Sequence, residues 1–338
     1  MKETFKTVLP NVAFLLLFAS EFTYYLLILQ TGIVEYHHSL LSQIWMVPLG
    51  GMLGIILSVY IYKKQQWLMA LLLFLQLLLS FSYASANGLE LFALGLISGL
   101  TAPMLLYRIE QLWIAVCALA LSYAFGTALF HVEAIARTDL ALFLSALAFI
   151  SALFTQTRQH KSISVETVSL YTMGSVFLWL LLDAALFETL SRDSVMHLWG
   201  ESEFTLTIIL SHMAGLAAAY RLRNWAYADM ALLVLFVLVY SVYSSGSSLM
   251  LSLVYPFVIS SYNVIILMKL KRLAYLPLAA ISLSLWGASG LGLLIALSHT
   301  FAAAWAVLGV LALSTLFKMP GFNLLSWFPN LKSTSFKG

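Results

Sequence analysis

Glu21 stands in the middle of LLLFASEFTYYLLIL (Leu15 to Leu29), a run otherwise suited to hydrocarbon. An acidic residue at the centre of a membrane-crossing helix costs roughly +2.5 to +3.5 kcal/mol on insertion scales. Such a group is tolerated only where water, a partner or a proton compensates it. Tyr24 and Tyr25 follow three and four residues later, on the same helix face, so a phenol is the expected hydrogen-bond partner. The chemistry this allows is proton exchange, or binding of a cation, at membrane depth. Asp183 repeats the arrangement 162 residues on, inside LWLLLDAALFE (Leu178 to Glu188). Glu188 lies about 140° round the helix from Asp183. Nearer the end of its run, it is read as a structural acid in reach of water.

Other candidate groups point to less. His37 and His38 share a loop with Glu35, and His197 shares one with Asp193, Glu201 and Glu203. Adjacent histidines on a loop give no ligand spacing, so no metal site is expected. His131 and His212 read as packed residues with one hydrogen bond each. The single cysteine, Cys117, excludes an intrachain disulfide and a cysteine-based metal cluster. No nucleophile motif, phosphate loop or dinucleotide fingerprint is present, so neither an enzyme nor a cofactor is expected.

The elements that must position the acids are membrane helices. Of 338 residues, 62% are hydrophobic and 9% charged, and the mean hydropathy is +0.95. A soluble protein carries about 25% charged residues. The net charge of +3 is spread over pairs and singles with no basic tract, which argues against nucleic acid as a partner. Twelve apolar runs are long enough to cross: 10–33, 44–62, 67–86, 89–107, 112–131, 139–156, 166–190, 204–220, 226–244, 249–268, 274–297 and 300–317. An N-terminus in the cytoplasm would put fifteen of the 17 basic residues on the cytoplasmic side, leaving only Arg137 and Arg192 outside. That is the bias of the positive-inside rule. Expected, therefore, is an integral protein of a bacterial inner membrane with both termini cytoplasmic. The tail, 319–338, with Trp327 and Phe328 between Pro320 and Pro329, reads as an interfacial anchor.

The two halves share an order of features. YIYKKQQW (Tyr60 to Trp67) answers to YRLRNW (Tyr220 to Trp225), and SFSYASANG (Ser80 to Gly88) to YSVYSSGSS (Tyr240 to Ser248). The offset stays near 160 residues and carries Glu21 onto Asp183. Six helices per copy is an even number, so both copies enter from one side as a parallel repeat. The expected organisation is a six-helix bundle over 1–156, a cytoplasmic linker at 157–165 (within TRQHKSISVE), a second bundle over 166–318 and the tail.

Twelve helices as six plus six, with both ends and the midpoint link inside, resemble the major facilitator superfamily of transporters. The family's loop signature between helices 2 and 3 runs roughly G-x-x-x-D-R-x-G-R-K. Here GIILSVYIYKK keeps Gly54 and the final lysines, with Ser58 in place of the aspartate and Ile61 in place of the second glycine. In the second half GLAAAYRLRN keeps Gly215 and Arg223, with Ala219 in place of the acid. The charge relay of that loop is thus missing. The resemblance implies that helices 1, 4, 7 and 10 line a central cavity. On helix 4 these are Ser98 and Thr101, beside Gly99 and Pro103, and on helix 10 Ser260, Ser261, Tyr262 and Asn263, after Pro256. Breakers and polar groups at membrane depth fit a cavity lining.

These observations predict an all-α polytopic membrane protein of two parallel six-helix repeats. Its expected function is secondary active transport of a small amphipathic solute by alternating access. Glu21 and Asp183, with Tyr24 and Tyr25, would couple a proton, and the polar residues of helices 4 and 10 would meet substrate. The rival expectation is a non-transporting assembly factor or receptor on the same scaffold, which the altered loop signature favours.

Overall fold

The structure, a computed structural model, describes residues 2–33, 41–62, 65–155, 170–192, 198–199, 202–225, 227–298, 300 and 302–317. The 157–165 linker, the tail, Glu35, His37, His38, Asp193, His197 and Glu201 lie outside the described residues. Among the described residues there is no strand. Helix α1 (Lys2–Tyr24) continues directly into a π-helical segment, Tyr25–Gly32. After a one-turn helix (Leu41–Ile44) come α2 (Met46–Ile61), α3 (Gln65–Ser80), α4 (Gly88–Tyr107), α5 (Leu112–Leu129) and α6 (Arg137–Phe154). The remaining six are α7 (Leu170–Leu190), α8 (Ser202–Arg221), α9 (Ala228–Ser245), α10 (Ser248–Leu270), α11 (Tyr275–Leu297) and α12 (Ala302–Phe317).

Nine of these helices are long and apolar enough to cross a membrane, and the chain is an integral membrane protein. The other three, α2, α3 and α12, are shorter apolar helices. Sixteen residues rise about 24 Å, against about 30 Å of hydrocarbon. Helix α3 was expected to reach residue 86 and ends at Ser80. Small polar residues take over there, Tyr83–Ser85 forms a 3₁₀ turn, and an Asn87–Glu90 capping box starts α4.

The packing has a regular order. Helix α1 lies on α5 and α6, α2 on α4, and α3 on α4 and α6. Helix α7 lies on α11 and α12, α8 on α10, and α9 on α10 and α12. Each contact in the first set has its counterpart six helices on. Between the sets, α5 packs on α8 and α10, and α11 on α2 and α4, which are again counterparts. Close approach comes from small residues. Gly50, Gly54, Gly95 and Gly99 let the α2 and α4 backbones touch, and Gly215 of α8 meets the Phe257 backbone of α10.

Candidate functional site: the junction of the two helix sets

Buried polar groups collect where α1–α6 meet α7–α12. The π-helical end of α1 sets one side of this junction. Its wider turn is seen in the Thr31 hydroxyl donating to the Leu26 carbonyl at 2.8 Å and the Ile33 N–H bonding to Ile28 O. Such segments occur often at functional sites. Gln30 projects from it and donates to Glu188 Oε1 at 3.0 Å. Glu188 Oε2 accepts from Arg192 Nη1 at 2.6 Å, in the turn just past the end of α7. Glu188 is 2% exposed. The expectation of a water-reaching structural acid is corrected, because α1 covers that end of α7. Tyr25 bonds Ser289 of α11 at 3.2 Å, and its ring stands edge-on to Trp286 at 5.9 Å. These groups line a cavity of about 50 Å³ between α1, α2, α7 and α11.

A second cavity, of about 30 Å³, lies on the other side of α1, bounded by α5, α7, α8 and α10. Tyr123 of α5 stacks flat on His212 of α8, centroids 4.1 Å apart. His212 Nδ1 is 2.7 Å from the Ser260 hydroxyl, and Asn263 donates to the Tyr123 hydroxyl at 2.6 Å. Thus α5, α8 and α10 are tied by one polar chain across the junction. His212 is packed and hydrogen-bonded, as expected, and the packing places it at the junction. Its position on α8, the helix that meets α5, is what carries it there. Both cavities have room for ordered water.

The two carboxylates singled out from sequence sit elsewhere. Glu21 is half-buried, and its Oε1 accepts from Gln76 Nε2 of α3 at 2.9 Å. The expected tyrosine partner is corrected. Tyr24 bonds Ser80 of α3 at 2.9 Å, and Tyr25 reaches α11 instead. The hydrogen bond of Glu21 thus stays within its own helix set, on α3. Asp183 is buried and accepts from the Tyr255 hydroxyl of α10 at 3.2 Å. The two acids are therefore not brought together. Of the proposed substrate contacts, Ser260 and Asn263 reach the junction as described. Ser261 donates to Gly215 O at 3.2 Å, and Tyr262 packs edge-on to Phe236. Ser98 and Thr101 are buried in α4, where the Thr101 hydroxyl is taken up by its own helix at Ile97 O. Glu203 and His131 are exposed, and Cys117 is exposed on α5.

The junction is closed at both ends. On one face Tyr62 stacks on Tyr275 at 4.1 Å, with Tyr107 edge-on at 5.1 Å. On the other the Gln30–Glu188–Arg192 link is joined by Phe130 against Trp199 at 5.3 Å. The first face carries Arg108, which donates to Thr155 at 3.4 Å. Its guanidinium is pushed down to about 10 by burial and stays charged at neutral pH. No protein-family model matches the chain, and no curated protein sequence matches it.

Proposed function

We propose that the protein is a proton-coupled secondary transporter of the major facilitator type that moves a small amphipathic solute by alternating access. The packing order supports it: every pair within α1–α6 recurs six helices on, although α7–α10 has no counterpart of like extent among the described residues, and the two sets meet through α5–α8 and α2–α11. Two equivalent bundles around one junction can rock as rigid bodies about a central site. Solute sites are typically about 300–1,000 Å³. The closed junction holds about 30 and 50 Å³. Solute would enter when one end parts and the cavities merge. Both cavities have aromatic walls, with Trp286 and Tyr25 in one and Tyr123, Phe130 and Trp199 in the other. Such walls suit an amphipathic solute.

The observation that carries the proton coupling is the Glu21–Gln76 pair. Gln76 is 1% exposed; its Nε2 donates to Glu21, while its Oε1 has no hydrogen-bond partner. A protonated carboxyl can donate to that open acceptor and close a two-bond acid–amide ring. A carboxylate can make only one of the two bonds. The pair therefore accommodates Glu21 with or without its proton, without requiring another charge nearby. Glu21→Gln substitutes an amide for the protonated acid and abolishes titration. In vesicles screened with a panel of amphipathic solutes, the wild type should show solute-dependent proton movement, and Glu21→Gln should fold normally and lose it. Transport by Glu21→Gln with an unchanged pH dependence would assign Glu21 a structural role. Failure of the wild type to move any solute would favour the assembly-factor or receptor alternative.

A further inference from the structure

The largest cavity among those described is not at the junction's centre. It has a volume of about 840 Å³ and lies where the start of α5 meets the ends of α8 and α10. Three cations line it, Arg223, Lys271 and Arg272, against one carboxylate, Glu110. Arg223 is held in place: its Nη1 donates to Tyr220 O at 3.0 Å, and its guanidinium lies 4.5 Å over the Tyr220 ring. The neighbouring Lys269 is committed elsewhere, 2.6 Å from Asp229. The rest of the wall is mixed: Gln111 and Asn224 are polar, while Leu112, Met268 and Trp113 give it an apolar side. Trp113 is 48% exposed at the first turn of α5, the headgroup depth that tryptophan favours.

We propose that this cavity binds the phosphate headgroup of an anionic phospholipid from the adjoining leaflet. A basic pocket between membrane helices at headgroup depth is suited to a phosphodiester. Its volume far exceeds that of a bare phosphate, and its apolar wall can take the glycerol and the first methylenes. The lipid would bridge helices of both sets, α5 on one side with α8 and α10 on the other. The inference does not depend on transport, and binding can be read without any solute.

The test is native mass spectrometry of the purified protein with phosphatidylglycerol, phosphatidylcholine or soluble glycerol phosphate. Phosphatidylglycerol should be retained in preference to phosphatidylcholine, and glycerol phosphate should not displace it at equal concentration. Each basic side chain near the surface contributes about fivefold in affinity, so Lys271→Gln with Arg272→Gln should weaken retention by about 25-fold. The single variants should each weaken it by about fivefold, and they keep the test open if the double variant fails to fold. Arg221→Gln, at the α8 end but outside the cavity lining, should leave retention unchanged. Equal retention of the two lipids, or retention indifferent to Lys271 and Arg272, would overturn the proposal. Displacement by glycerol phosphate would assign the cavity to a soluble phosphate ester instead.

Discussion

Arg137→Ala should destabilise the protein by about 3–5 kcal/mol, measured as unfolding in mixed detergent micelles. Arg137 is 1% exposed although it begins a helix. Its guanidinium donates to Val132 O at 2.9 Å, Phe130 O at 2.8 Å, Leu27 O at 3.0 Å and the Thr31 hydroxyl at 3.0 Å. It thus closes the end of α5 and clasps the π-helical turn of α1, where Leu27 O takes a side-chain donor. Each buried acceptor left without a donor costs about 1–3 kcal/mol, with partial recovery where water reaches the helix end. Arg137→Lys should recover only part of the loss, because one ammonium cannot span acceptors on two helices as a planar fork does. A loss below about 1 kcal/mol for Arg137→Ala would show that the π-helical turn stands without it.

Gly99→Val should be as damaging and for a different reason. A Cβ at Gly99 would fall on the Gly51 carbonyl, a backbone atom that cannot rotate away. The neighbouring Gly95 is blocked in the same manner by Val47 O at the facing turn. The α2–α4 pair must then separate along its length. Overpacking of this kind costs about 1–3 kcal/mol, and more where backbone must move. Gly290→Ala, with nothing near its Cβ position, is the control and should be neutral. The measurement is the yield of monodisperse protein after detergent extraction; equal yields for Gly99→Val and Gly290→Ala would contradict the close packing.

The helices were legible because apolar runs alternate with charged or small polar breaks, and most bounds follow them, although α2, α3 and α12 are shorter than a full crossing and α3 stops at Ser80. Helix pairing had a signal too: GMLG within Gly50 to Gly54 and GLISG (Gly95 to Gly99) place small residues one turn apart on α2 and α4. The π-helical turn at Tyr25–Gly32 had none, since no proline or glycine interrupts it before Gly32. Helix periodicity put Tyr24 and Tyr25 on the face of Glu21; Tyr24 does turn to α3 as Glu21 does, whereas Tyr25, where the π-helical segment begins, turns to α11. Periodicity could not say that long phenols would reach past Glu21 to α3 and α11. Glu188 was misjudged because distance along α7 suggested water, whereas exposure depends on what covers the helix end. Gln30 and Gln76 were the usable clue: amides inside apolar runs need partners, and the acids supply them.

Alternating access is tested most directly by distance measurements that need no known solute. Spin labels placed on exposed positions near the two closures, one pair spanning α1 and α7 beyond Gln30–Glu188 and one spanning α2 and α11 beyond Tyr62–Tyr275, read the two faces separately. Glu188→Ala removes the link that joins α1 to Arg192 and α7. The account predicts that this variant lengthens the Gln30-side distance and leaves the Tyr62-side distance short, whereas Tyr62→Ala with Tyr275→Ala does the reverse. Distances at both faces that stay single, narrow and unmoved by either change would contradict it.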